Sequence, residues 1–185
     1  MGLEPQLSFE INGLPSTLPR CCIRVLGRPG WFDPALLWAV RLRPVNLLVR
    51  AISSRRVTGT RITATTIGDT IYFRRPERFD PHSPAGLALL AHELRHVEQY
   101  RAWGGVVPFS VAYVWEYLRE GYGTNIFFEA EAHEVAGTVQ AHLEAELTYN
   151  DGELPCLTPP SGHMPNPLYR YLRPCPTIPR LLKVY

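Results

Sequence analysis

The sequence of 185 residues contains no apolar run of about eighteen residues, the length that a transmembrane helix needs. It therefore predicts no membrane span. The first residues, Met1 to Gln6, have neither a basic start nor an apolar stretch, so they do not resemble a secretory signal peptide. From these absences we expect a cytoplasmic protein, whose export would need a route without a signal peptide.

Dense blocks of basic residues are also missing, and the net charge is only +2. The arginines of the first half are interleaved with apolar residues, so the sequence predicts no binding of nucleic acid. Four cysteines are present (Cys21, Cys22, Cys156 and Cys175), and no two have the Cys-x-x-Cys spacing of a zinc ribbon. We expect reduced thiols, with a Cys156–Cys175 disulfide as the alternative in an exported protein.

A hydrophobic content of 45% over this length suffices for one core, and we expect a single domain over residues 1–153. Eight prolines between Leu154 and Pro179 predict a proline-rich tail over residues 154–185, which lies on the surface or is partly disordered.

The first half predicts little regular structure before a hairpin. The opening thirty residues, rich in proline and glycine, favour irregular structure with at most a short strand near residues 8–11. Asp33 and Pro34 are typical of a helix start, and this helix should run to about Val40 or beyond, with Pro44 kinking or dividing it. The segment from Trp31 to Arg50 would pack on the core, or alternatively lie on a membrane surface.

β-Branched residues then predict a strand over 56–66, a turn at 67–69 and a second strand over 70–74. A helix should follow, because Ser83 can cap it and Pro84 fits its first turn. Apolar residues at spacings of three and four give it a face for the core (Leu87, Leu90, Leu94 and Val97). Gly104 and Gly105 end it. The fold class is thus α+β, mostly helical, with a small β-hairpin before this helix.

Two further helices are predicted. Residues 108–120 should form a helix whose broad apolar surface belongs to the core. Glu129 to about Tyr149 should form a longer helix with apolar residues along one side.

The pattern His92-Glu93-Leu94-Arg95-His96 lies inside the predicted helix after Ser83. Residues four apart share a helix face, so both imidazoles can point at one Zn²⁺ ion. Glu93 is one position round and can act as the catalytic base without binding the metal. On such a helix, the pattern is typical of a catalytic zinc site.

A third protein ligand is needed, and Glu129 on the last predicted helix is our choice. Glu131 lies about 200° round that helix from Glu129, so only one of the two can bind in regular geometry. His133 is the main alternative, and otherwise would orient His92 or His96. His82, His142 and His163 are weaker candidates. For the donor that stabilises a tetrahedral oxyanion, the candidates are Tyr113, Tyr117, Tyr122, His133 and His142.

Three stretches within Thr65–Gln99 together resemble a known group. They read Thr-x-x-Gly-Asp-x-Ile-Tyr-Phe from Thr65, Phe-Asp-Pro-x-x-Pro-x-Gly from Phe79, and Leu-Leu-Ala-His-Glu-Leu-x-His-Val-x-Gln from Leu89. The combination resembles the metallopeptidase-like core domain associated with bacterial extracellular contractile injection systems. The resemblance implies a zincin-like fold with bound zinc, and makes peptide hydrolysis plausible.

The segment from Glu129 to His133 resembles the Glu-x-Glu-Ala-Asp segment of membrane-associated gluzincin peptidases. In those enzymes the first glutamate binds zinc, which corresponds to Glu129 here. This chain has His133 in place of their aspartate, and it lacks their membrane helices.

The sequence thus predicts a zinc metallopeptidase, a hydrolase that acts on a peptide or protein substrate, with zinc on His92, His96 and Glu129 and Glu93 as base. An edge strand of the hairpin could hold an extended substrate by main-chain hydrogen bonds. The alternative is a zinc-stabilised interaction module without catalysis, or a cargo of a secretion machine.

Overall fold

The computed structural model describes residues 9–10, 14–28, 30–47, 49, 63–121 and 126–149. Within these ranges the elements follow the order β1 (Phe9–Glu10), β2 (Leu14–Pro15), α1 (Arg20–Leu26), α2 (Pro34–Ala39), β3 (Arg41–Pro44), β4 (Ala64–Ile67), β5 (Thr70–Phe73), α3 (Pro84–Ala102), α4 (Val106–Glu120) and α5 (Phe127–Tyr149). The architecture is α+β and mostly helical with a small sheet, as predicted. The proposed tail, residues 154–185, lies outside the described residues.

The hairpin before α3 is confirmed over the part of it that the structure describes. Strands β4 and β5 pair antiparallel with Ile67 opposite Thr70, so only Gly68 and Asp69 form the turn. Gly68 has a φ of +58°, a left-handed conformation that glycine adopts without steric cost. Alternate residues of the hairpin face inward, and Thr66, Ile71 and Phe73 are buried. Residues 50–62, the start of the predicted first strand, lie outside the description.

A third strand occupies residues that the sequence assigned to a helix. The helix capped by Asp33 ends at Ala39, and β3 pairs in parallel with β5 to give the order β3-β5-β4. The expected continuation beyond Val40 is wrong because main-chain groups there bond to other segments. Leu42 N–H donates to the Ser16 carbonyl at 2.9 Å, and Val45 N–H donates to that of Phe73 at 2.9 Å. Pro44 also disfavours helical geometry at Arg43.

The opening residues contain more structure than expected. The short strand is present as β1, which pairs with β2. The helix α1 was not predicted, and its side chains explain it, since Cys22, Ile23, Val25 and Leu26 are all buried in the core. Tertiary packing therefore stabilises a seven-residue helix that has no side-chain hydrogen bond at its N-terminus.

Helix α3 is confirmed with its predicted start. The Ser83 hydroxyl accepts a hydrogen bond from Gly86 N–H at 3.0 Å, and Pro84 is the first helical residue. The helix ends at Ala102, and Gly104 and Gly105 follow with φ values of +80° and +117°. Its predicted apolar face (Leu87, Leu90, Leu94 and Val97) is completely buried in the main core, beside the sheet and α5.

Helices α4 and α5 form near the predicted boundaries, but α4 is packed differently. Phe109 is the buried residue of α4, while Val107, Val111, Trp115 and Leu118 are each at least 66% exposed. The prediction that the broad apolar surface of α4 belongs to the core is therefore wrong. Among the helices that the structure describes, none is long and apolar enough to cross a bilayer.

Candidate metal centre

Helices α3 and α5 lie against each other and bring distant residues together. The apolar face of α3 is held in the core, where Val139 and Leu143 of α5 also lie. At the other end of α5, Ala132 is fully buried, and its small side chain permits close approach. As a result, Glu129 near the start of α5 faces His92 and His96 of α3.

The donor atoms of these three side chains converge on one point. The Nε2 atoms of His92 and His96 are 3.2 Å apart. Glu129 places Oε2 at 3.4 Å from Nε2 of His92, and Oε1 at 3.5 Å from Nε2 of His96. Among the described residues, this trio is the group of histidine, cysteine and acidic side chains whose potential ligand atoms all lie within 4.8 Å of one another.

These distances fit a tetrahedral zinc ion. Ligand bonds of about 2.0–2.1 Å at tetrahedral angles separate neighbouring donors by about 3.3 Å. Two imidazole nitrogens and a carboxylate oxygen are the donor types of catalytic zinc sites, in which a fourth position is left for water or substrate. The residues present thus fit the group that the sequence predicts.

Glu93 is buried beside this trio and is held by the edge strand of the sheet. Only 4% of the surface of Glu93 is exposed to solvent. The hydroxyl of Thr66 in β4 donates to Oε2 of Glu93 at 2.7 Å and also lies 3.2 Å from the Glu93 carbonyl. The Tyr100 hydroxyl donates to the Thr66 carbonyl at 3.3 Å. The hydrogen bond from Thr66 fixes the Glu93 carboxylate and joins β4 to α3 at the centre of the site.

Gln99, one turn after His96, sets the orientation of that imidazole. Its side-chain NH₂ donates to the Phe128 carbonyl at 3.0 Å and to Oε2 of Glu131 at 2.7 Å. Its Oε1 must therefore accept from Nδ1 of His96, at 2.8 Å. With Nδ1 protonated, the lone pair of neutral His96 is on Nε2, the atom that faces His92 and Glu129.

Glu131 faces away from the trio, as the helix geometry predicts. Its carboxylate accepts from Gln99 and from the Arg95 guanidinium. Arg95 also donates to Glu98 at 2.6 Å. These bonds engage both oxygens of Glu131, so of the two glutamates it is Glu129 that lies at the candidate metal position.

Interactions within the trio shift the pKa values of Glu129 and His96 in opposite directions. Burial by itself would raise the pKa of Glu129, but hydrogen bonds from His92 and His96 outweigh it and hold that pKa well below its usual range. Burial by itself would lower the pKa of His96, but the hydrogen bond and the charge of Glu129 raise it overall. The site therefore favours an ionised Glu129, the form that binds a cation.

The remaining candidates lie in different environments. The ring centroid of His133 lies 4.6 Å from that of His92, with the two ring planes tilted by 58°, and burial together with the charge of His92 lowers the pKa of His133. The Tyr113 hydroxyl donates to Oε1 of Glu129 at 2.8 Å, so it orients a candidate ligand. His142 lies thirteen residues after Glu129, about 20 Å along α5, and pairs with Glu146.

That distance makes His142 unsuitable as a ligand or oxyanion donor, which corrects the sequence-based expectation. His82 is exposed in the turn before α3. Tyr117 lies within α4, and Tyr122 and His163 lie outside the described residues.

Thr66 and Gln99 are functional residues that the sequence pattern did not single out. Each had a recognisable feature: Thr66 occupies an inward-facing position of the predicted strand, and Gln99 follows His96 at a spacing of three, on the same helix face. Tyr113 was considered only as an oxyanion donor. Its contact with Glu129 depends on how α4 packs, which sequence periodicity does not determine.

The fold and the site together define a mostly helical α+β protein with a candidate metal centre between two helices. Residues 40–104, which are 65 of the 185, match the family model described as the eCIS core domain. This match associates the chain with extracellular contractile injection systems. It covers β3 to the end of α3, and includes His92, Glu93 and His96 but not Glu129. No curated protein and no solved structure matches the chain.

Proposed function

We propose that this protein is a zinc-dependent peptidase of the gluzincin type. The observation that carries the proposal is the convergence of His92, His96 and Glu129, from two helices, to the donor spacing of a tetrahedral zinc site beside the buried Glu93. Such a constellation has the parts that metal-assisted amide hydrolysis requires, which are three ligands, a carboxylate base and an adjacent edge strand.

In this proposal His92, His96 and Glu129 hold the zinc. When bound, zinc lowers the pKa of water to about 7 and polarises a carbonyl group. Glu93 takes a proton from the attacking water and passes it to the leaving amine. Thr66 positions the Glu93 carboxylate through the 2.7 Å hydrogen bond. Gln99 and Tyr113 orient His96 and Glu129 respectively.

The substrate in this proposal is a peptide or protein bound in extended form. Strand β4 is an edge of the three-stranded sheet, and its Thr66 contacts Glu93 directly. An edge strand has main-chain groups free to pair with an extended segment, which would place a peptide bond beside the ligands. His133, whose ring adjoins that of His92, is the candidate that this proposal takes as donor to the oxyanion.

Replacement of Glu93 by Gln tests the mechanism. The substitution keeps the shape and the hydrogen bond to Thr66 but removes the base, so we expect turnover of a fluorogenic peptide library to fall at least 100-fold. Zinc content, measured by mass spectrometry, should stay at the wild-type level. Glu134→Gln is the matched control, because Glu134 is an exposed residue of α5.

Full activity of the Glu93→Gln variant would contradict the assignment of Glu93 as the base. An inactive wild-type protein that carries stoichiometric zinc would instead favour the second candidate function, a zinc-stabilised interaction module of an injection system. The observation that favours this second candidate is the match of residues 40–104 to the eCIS core domain. In that case Glu93→Gln would change neither zinc content nor the binding of a partner.

A further inference from the structure

The orientation of the Gln99 amide determines which nitrogen of His96 can bind a metal. With the amide oxygen toward Nδ1 of His96, at 2.8 Å, Nδ1 carries the proton and the lone pair of the neutral ring is on Nε2. If the amide were turned by 180°, its NH₂ would donate to Nδ1, and the proton of the neutral ring would be on Nε2. That proton would point at the candidate metal position, so only the first orientation suits zinc.

The Gln99 NH₂ faces two acceptors of α5. It donates to the Phe128 carbonyl at 3.0 Å and to Oε2 of Glu131 at 2.7 Å. Phe128 is the second residue of α5, so its carbonyl also serves the hydrogen-bond ladder of that helix. The Glu131 contact is the shorter of the two, and a carboxylate accepts more strongly than a carbonyl. A turned amide would place its oxygen against this carboxylate.

Arg95 holds Glu131 in place for this contact. Its guanidinium donates to Oε1 of Glu131, while Gln99 uses Oε2. The same guanidinium donates to Glu98, which is three residues later on α3, at 2.6 Å. The side chains of Arg95 and Glu131 are 25% and 27% exposed, so their ion pair is partly shielded from water. Arg95 thus fixes the carboxylate that fixes the amide.

These contacts form a chain that crosses between the two ligand-bearing helices twice. It begins at Arg95 of α3, passes to Glu131 of α5, returns to Gln99 of α3 and ends on Nδ1 of His96. Gln99 and His96 are only 5% and 8% exposed, so solvent is a poor substitute for a lost partner. We refer to these four residues as the Glu131 relay.

We propose that Glu131 is a positioning residue of the candidate metal centre, which keeps the metal-binding lone pair of His96 on Nε2 by fixing the amide of Gln99. The proposal rests on the proposed zinc site but not on hydrolysis. The two glutamates at the start of α5 then have separate roles. Glu129 faces the metal position directly, and Glu131, on another side of the same helix, orients a ligand that belongs to α3.

The first test is a double-mutant cycle on zinc affinity, measured by competition with a chromogenic chelator. Glu131→Ala should lower the affinity about 10–100-fold, and α5 should persist because alanine is a good helix former. In a Gln99→Ala background the same substitution should cost less than about 2-fold, since the Glu131 relay is already broken there. Glu134→Ala is the matched control, because Glu134 is exposed on α5, and it should leave the affinity unchanged.

Glu131→Gln separates positioning from charge. The new side chain lacks the negative charge, but its amide oxygen can still accept from Gln99. We therefore expect it to retain most of the zinc affinity that Glu131→Ala loses. Equal losses in the two variants would assign Glu131 a through-space attraction for the cation and overturn the proposal. Additive losses for Glu131→Ala and Gln99→Ala would overturn it as well.

The second test uses the metal-free protein and does not depend on zinc binding. The ¹⁵N chemical shifts of the His96 ring, measured at alkaline pH where imidazoles are neutral, report which nitrogen carries the proton. We expect the proton on Nδ1 in the wild type and a mixture of tautomers in Glu131→Ala. A proton on Nε2 in the wild type, or the same tautomer in both proteins, would overturn the proposal. A wild type with the expected tautomer that binds no zinc would support the Glu131 relay and refute the proposed zinc site.

Discussion

At the residue scale, the candidate centre depends on side chains that would not touch the metal. Gln99 connects His96 of α3 to the Phe128 carbonyl and to Glu131 of α5. It therefore fixes the orientation of one imidazole and joins the two helices that carry the ligands. Metal affinity in such sites depends on these outer contacts as well as on the ligands.

Gln99→Ala is expected to lower zinc affinity by about 10–100-fold, because His96 loses the acceptor that holds Nδ1–H. The measurement is competition with a chromogenic chelator at fixed pH. Gln140→Ala is the control, since the Gln140 side chain donates to Glu144 one turn later on α5, away from the candidate ligands. Equal affinity for the Gln99→Ala and wild-type proteins would show that the orientation of His96 does not depend on this contact.

Zinc affinity is also expected to depend on pH in a defined direction. Glu129 raises the pKa of His96 in the metal-free protein, so His96 holds a proton that zinc must displace. The affinity should therefore rise as the pH increases through the pKa of His96, and level off above it. Proton release on zinc binding, measured by calorimetry in buffers of different ionisation enthalpy, should fall over the same range. An affinity independent of pH between 5 and 8 would contradict this.

At the scale of elements, the start of α3 is packed closely enough to need glycine. A Cβ atom on Gly86 would lie 1.8 Å from the Asp80 carbonyl oxygen, which is backbone and cannot give way easily. Gly137, in the middle of α5, has no such neighbour within 4 Å. The two glycines therefore have different roles, although both lie in helices.

Gly86→Ala should destabilise the protein by about 1–3 kcal/mol, since the turn before α3 must shift. Gly137→Ala should stabilise it by about 0.5–1 kcal/mol, because alanine loses less conformational entropy in a helix. The free energies come from urea unfolding of both variants beside the wild type. A neutral Gly86→Ala variant would mean that the Asp80 carbonyl can move without cost.

At the scale of the whole molecule, the metal would bridge two helices that are about thirty residues apart in sequence. His92 and His96 belong to α3, and Glu129 belongs to α5. A ligand that binds only the folded state stabilises it by mass action. Zinc is therefore expected to stabilise the fold in addition to its proposed role in hydrolysis.

A free zinc concentration of about 100 times the dissociation constant should raise the free energy of unfolding by about 2.7 kcal/mol. For a chain of this length, that corresponds to an increase of roughly 5–10 °C in the melting temperature. Glu129→Ala should abolish most of this shift and Glu134→Ala should preserve it, because Glu134 is exposed on the same helix. Differential scanning calorimetry with and without a chelator measures both. A full zinc shift in Glu129→Ala would refute Glu129 as a ligand.

The sequence was most informative where a local rule decides the structure. The start of α3 at Ser83 and Pro84, its end before Gly104 and the turn around Gly68 depend on hydrogen bonds or backbone angles of a few neighbouring residues. The apolar face of α3 followed from the spacing of its leucines. These features could be predicted because the atoms that determine them are close in sequence.

The failures have the opposite cause. The region after Val40 became β3 because Ser16 and Phe73 supply hydrogen-bond partners from distant segments. Helix α1 forms because its apolar side chains find a place in the core. The apolar surface of α4 is not in the core, since Val107, Val111, Trp115 and Leu118 are each at least 66% exposed. Periodicity identifies an apolar face but not what covers it.

The sequence by itself determined the α+β class and the His-Glu-x-x-His pattern on α3, for which helical spacing and donor chemistry suffice. It favoured Glu129 as third ligand but left Glu131 and His133 as alternatives. Only the tertiary structure decided that Glu129 faces both imidazoles while Glu131 binds Arg95 and Gln99. It also decided that Thr66 holds Glu93. The physical reason is that these contacts join β4, α3 and α5, whose relative placement depends on the burial of the whole core.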